Sequence, residues 1–95
     1  MLKKLTRAEV EIVAASGGSL SGEKLSNIDL SAIDLSCVDF GNADLRYANL
    51  QGSDLCRANL SGANLGGANL AGARLNHTIF RNSDLRWSVL TNVDA

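Results

Sequence analysis

Ninety-five residues with a formal net charge of −1 leave room for one small domain. Hydrophobic residues make up 45% of it, yet aromatics are 4% and proline is absent, so Leu and Ala carry the apolar share. That richness in Leu excludes a disordered chain, no run approaches the ~18 apolar residues of a membrane span, and the balanced charge gives no electrostatic case for membrane-surface or direct nucleic-acid binding. Met1-Leu2-Lys3-Lys4 lacks the apolar segment of a secretory signal. Two cysteines in this background fit a reducing compartment, so the expected location is cytoplasmic.

Residues 1–17 are predicted to form an N-terminal capping helix. In Leu5-Thr6-Arg7-Ala8-Glu9-Val10, Thr6 and Glu9 have capping-box spacing, and Leu5 and Val10 are placed as a hydrophobic staple. A helix from about Arg7 to Ala15 follows, with Gly17 or Gly18 to end it. Val10, Val13 and Ala14 then share one apolar face. Leu5, Val10 and Ala15 also fall on multiples of five, but Glu9 to Ala15 lacks corner residues, which favours helix.

From residue 18 to residue 95 a single repeat takes over. Every fifth residue from Leu20 to Leu90 is Leu or Phe, and 13 of the 15 leucines sit on this grid. Two residues earlier the chain is small or β-branched, as at Ile28, Val38, Ala48, Ala58 and Ala68. One residue earlier it is mostly Asp or Asn. A period of five fits neither standard element: it puts successive leucines on opposite faces of a strand and spirals them by ~140° around a helix. All of them can face one axis only if the chain turns a corner every pentad and stacks on itself. Gly and Asn suit such corners, and a proline would delete a donor from the inter-coil ladder.

Runs such as Ala43-Asp44-Leu45-Arg46-Tyr47, Ala58-Asn59-Leu60-Ser61-Gly62 and Ala63-Asn64-Leu65-Gly66-Gly67 resemble the A(D/N)LXX motif of pentapeptide-repeat proteins. The resemblance spans roughly residues 18–95. It implies an all-β solenoid, a right-handed quadrilateral parallel β-helix with four pentads per coil and about four coils. The period alone leaves three or four sides open. With 20 residues per coil, Leu20, Phe40, Leu60 and Phe80 share a column, and the bulky inward residues Ile28, Ile33, Val38 and Val93 lie near the ends.

The last coil has Ile79 and Val89 where Asp or Asn usually stands, and Trp87 in an outward position. This apolar rim is expected to be an interaction surface, with end-to-end homodimerisation through the C-terminal coil as its use. Asp34, Asp54 and Asp94 share an outward column interrupted by Arg74 and are the acidic candidates. The family resemblance implies one rival for them, mimicry of duplex DNA toward a type II topoisomerase such as gyrase. Residues 17–95 depart from that pattern, with eight acids against six bases and much of the slot neutral Asn.

Catalytic chemistry finds few residues to use. His77 is the only histidine, and its column neighbours are Arg57 and Cys37. Cys37 and Cys56, 19 apart, fall diagonally on adjacent rungs and read as outward thiols. Two Cys and one His make no zinc set, no phosphate-binding glycine motif precedes a helix, and no cofactor is expected. The reading is a bacterial, non-enzymatic structural or protein-binding module with an unidentified protein partner.

Overall fold

The computed structural model describes residues 3–95. Met1 and Leu2, which open the predicted 1–17 segment, lie outside the described residues.

Helix α1 runs Arg7–Ala15. Glu9 N donates to Thr6 Oγ1 (3.2 Å) and Thr6 N donates to Glu9 Oε1 (2.9 Å), so both halves of the capping box form. At the other end Gly18 N donates to the Val13 carbonyl (2.9 Å) and Gly17 N to that of Ala14 (3.3 Å). Gly17 makes this closure possible with a φ of 75°. Val10 is fully buried, and Leu5, Val13 and Ala14 pack against the solenoid core. Arg7 crosses onto the first coil, donating to the Asp29 and Ser31 carbonyls at 3.1 and 2.8 Å.

Beyond α1 the chain is a right-handed quadrilateral parallel β-helix. Every bridge is parallel and joins residues 20 apart, from Lys24–Asp44 to Arg74–Asp94. Residues 16–35, 36–55, 56–75 and 76–95 are therefore coils 1 to 4, with each pentad forming one side. The molecule measures 35 × 24 × 22 Å.

Each corner is a two-residue turn after the grid Leu or Phe. Its second residue has a φ of 57–72° at all fifteen corners from Gly22 to Asn92, while its first never has positive φ. A left-handed residue at that point, with the Ala43 N to Phe40 O bond (2.9 Å) and its equivalents, makes these type II turns. Five of the fifteen are Gly, four are Asn (Asn27, Asn42, Asn82 and Asn92), and the remaining six are Ala32, Cys37, Tyr47, Arg57, His77 and Trp87. Those six side-chain-bearing residues each hold a backbone that costs roughly 1–2 kcal/mol outside Gly or Asn.

The missing proline has a full account in one pentad. Ala43 N bonds the turn, Asp44 N the Glu23 carbonyl of the coil before (2.9 Å), and Leu45 N the Asn64 carbonyl of the coil after (2.8 Å). Arg46 N bonds the Asp44 carboxylate (3.2 Å), and Tyr47 N the Gly66 carbonyl (2.9 Å). All five N–H groups are in use, so no position is free for a residue without one.

The axis is lined as the grid predicts. The grid residues from Leu20 to Leu70 are fully buried, and the inward neighbours are Ile28, Ile33 and Val38 near the cap, then Ala43, Ala48, Ala58, Ala63, Ala68 and Ala73. Ser53, the one buried polar residue among those described, is satisfied by donating to the Leu50 carbonyl (2.8 Å). In coil 4 the inward slots become Thr78, Ser83 and Ser88, each returning its hydroxyl to a backbone carbonyl at 2.7 Å.

Candidate functional site

The outward Asp and Asn residues are first of all turn supports. From Asp29 to Asp84 each lies two residues before the first corner residue and accepts that residue's N–H: Asp34 from Ser36 (3.0 Å), Asp54 from Cys56 (2.9 Å), Asn59 from Ser61 (3.0 Å), Asn64 from Gly66 (3.0 Å). An oxygen is all this bond needs, which explains why Asp and Asn alternate freely in the slot. Where the slot holds Arg74, Ile79 or Val89, the corner goes without this acceptor.

Asp34, Asp54 and Asp94 do share one wall with Arg74. Asp34 also takes the Ser36 hydroxyl (2.6 Å), and this bond, followed by the backbone N–H, holds its pKa below the usual carboxylate range. Asp54 is lowered chiefly by the Cys56 N–H and pairs with Arg74 at 3.2 Å. Asp94 is exposed at the end of that column. Two of the three acids are thus engaged within the wall.

The three apolar candidates separate. Ile79 and Val89 are half a coil apart and stand on opposite walls, whereas Trp87 sits at the corner where the Val89 wall begins. Trp87 is 80% exposed, with the Arg86 guanidinium 5.6 Å from its ring centroid.

Tyr47 belongs with Trp87, and the sequence reading passed over it. The two are 40 residues apart, two whole coils, so they occupy the same corner column with Gly67 between them. Tyr47 is 64% exposed and lies against Gly67, where an added Cβ would come within 2.5 Å of the ring. Each aromatic follows an Arg, and each Arg grips an Asp two residues before it: Arg46 to Asp44 and Arg86 to Asp84, Nη2 to Oδ2 2.8 Å in both. The Arg86 side chain pulls the Asp84 carboxyl down to about 2. The corner therefore presents Arg46-Tyr47, Gly66-Gly67 and Arg86-Trp87 on three successive rungs, about 9.6 Å from first to last. The other two aromatics, Phe40 and Phe80, lie on the axis side.

A depression of about 490 Å³ lies between Lys3-Lys4 and coil 1, with Lys24 and Arg46 set against Glu23 and Asp44. Among the described residues no three His, Cys, Asp or Glu side chains converge on a metal position. No helix of the described residues is long and apolar enough to cross a membrane.

The family model for pentapeptide repeats matches residues 24–62 and 58–94. The chain is similar to the crystal structure of the pentapeptide-repeat protein Rfr23 from the cyanobacterium Cyanothece 51142, with 41% identity and a TM-score of 0.79. That match covers 81% of this chain and 53% of Rfr23, so the chain spans about half of Rfr23's length. It is similar also to alr5209, a pentapeptide-repeat protein from Nostoc PCC 7120, at 34% identity and a TM-score of 0.79 over 95% of this chain and 79% of that one. No curated protein matches the chain in sequence.

Proposed function

The chain belongs to the pentapeptide-repeat family, and from that footing we propose that it is a non-enzymatic rod that binds another protein along the corner of Arg46, Tyr47, Arg86 and Trp87. The observation that carries this reading is the placement of the two outward aromatics. Both occupy left-handed corner positions, where Gly or Asn is the less strained choice, and both remain largely exposed. Neither is there for the core. Exposed Tyr and Trp beside Arg form the residue set that dominates binding energy at protein interfaces. Val89 extends the apolar surface from Trp87 along the next wall.

Non-enzymatic action fits the same geometry, because Asp34, Asp44, Asp54 and Asp84 spend their carboxylates on turn N–H groups and neighbouring side chains. DNA-like mimicry would ask those acids to face a partner unneutralised. A supercoiling assay on gyrase is expected to show no inhibition at micromolar protein.

Capture with the intact protein as bait tests the proposal. Tyr47→Ala/Trp87→Ala bait should lose the partner that wild-type and Asp34→Asn baits retain; equal capture by all three would sink it. Sedimentation of the purified chain asks whether the partner is a second copy, as a homodimer through coil 4 requires. Self-association that Trp87→Ala abolishes identifies it as such.

A further inference from the structure

We propose that Cys37 and Cys56 are a disulfide site, closing a covalent staple between coils 2 and 3 when the protein meets a low-molecular-weight disulfide such as glutathione disulfide. Both are free thiols in this structure, Cys37 exposed and Cys56 half-buried. The backbone already joins them: Cys37 N donates to the Cys56 carbonyl at 3.0 Å. Set diagonally on adjacent rungs, one rung (~4.8 Å) up and one residue (~3.8 Å) along, their Cα atoms stand about 6 Å apart, within the ~4.4–6.8 Å that a disulfide spans.

Side-chain direction supports the pairing. Cys37 is the second residue of its corner, with a φ of 63°. Asn42 and Tyr47 hold the same position at the next two corners, and each lays its side chain over the following coil, against Gly62 and Gly67. The same lean at the Cys37 corner would carry its thiol toward the following coil, where Arg57 stands in its column with Cys56 adjoining. The Cys56 thiol now contacts Asn76 Oδ1 at 3.6 Å, one coil further on, so pairing requires rotation about its Cα–Cβ bond. Asp54, through its contact with the Cys56 side chain, pushes that thiol's pKa up. The exposed Cys37 is the entry point.

The chemistry balances in two exchanges. The Cys37 thiolate attacks one sulfur of glutathione disulfide, forming a mixed disulfide and expelling one glutathione thiolate. The Cys56 thiolate then attacks the Cys37 sulfur, forming the protein S–S bond and expelling the second glutathione. The protein gives up two electrons and two protons, and two reduced glutathione molecules leave. The ring so closed contains one whole coil, which ties two rungs that otherwise rely on ladder bonds and packing.

Full-length protein incubated with glutathione disulfide provides the test. The expected product is a monomer two hydrogens lighter, without titratable thiols, in which the tryptic peptides Leu25–Arg46 and Tyr47–Arg57 are linked. Its melting temperature should rise on the order of 10 °C and return on reduction. Cys37→Ser and Cys56→Ser should each fold, carry at most one glutathione and show no such rise. Glutathione retained on both cysteines, an interchain disulfide, or a linked monomer melting no higher than the reduced chain would each overturn the proposal.

Discussion

Leu50 and Leu90 occupy the same axial column on coils 2 and 4, on backbones of the same turn type, yet Leu50 is fully buried and Leu90 is 42% exposed. Phe40 and Phe80 repeat the contrast, one sealed and the other partly covered. A grid residue in a solenoid draws its burial from the rungs on either side rather than from its own coil. Coil 4 also differs in chemistry. Its inward Ala positions have become Thr78, Ser83 and Ser88, and two of its outward slots carry Ile79 and Val89. The middle coils follow the repeat for stability, while coil 4 departs from it where the exposed apolar side chains stand.

Paired substitutions along the column should sharpen this contrast most. Leu50→Ala is expected to cost about 2–5 kcal/mol in urea unfolding, as for a sealed core leucine. Leu90→Ala should cost under about 1 kcal/mol, since much of its surface already meets water. Equal losses would break the comparison.

The outward slot predicts a smaller effect of opposite sign. Val89→Asn restores an oxygen acceptor for the Thr91 N–H, repeating the bond from Ala71 N to Asn69 Oδ1 one coil earlier (3.0 Å). A gain of about 0.5–1 kcal/mol, seen as a melting temperature a few degrees higher, is expected. Asn69→Val should lose a similar amount.

Acid compares the matched pairs Asp44–Arg46 and Asp84–Arg86. The hydrogen bonds from Arg46 and Arg86 are the leading causes that lower the two carboxyls, Asp84 to about 2. A carboxyl whose pKa is lower folded than unfolded contributes its stabilisation in full above the unfolded value of about 3.9. That contribution is lost as pH falls through the folded value, so melting temperature should drop between about pH 4 and pH 2. Asp84→Asn should make the drop shallower, and an unchanged profile would remove the pair from the account.

Much of this architecture is legible in the sequence. The five-residue grid identifies the axial leucines because no straight element keeps that period on one face, and Thr6 and Glu9 mark the helix start by spacing alone. The number of sides was not legible from the period; it came with the family resemblance. The role of the outward acids was hidden for a different reason. Asp34 and Asp54 read as a charged column until the turn type shows which N–H each one faces. Tyr47 escaped because its significance lies in a neighbour 40 residues away, visible only once 20 residues are taken as one coil. Ile79 and Val89, read as one rim, are divided by the same arithmetic.

The central claim is that Tyr47 and Trp87 stand at strained corners for the sake of a partner. Tyr47→Gly/Trp87→Gly tests it most directly, with thermal unfolding and partner capture measured on the same protein. Glycine suits the left-handed backbone at both corners. The account predicts a melting temperature equal to or above wild type together with loss of the captured partner. A chain that still captures its partner, or one that melts well below wild type, would contradict it.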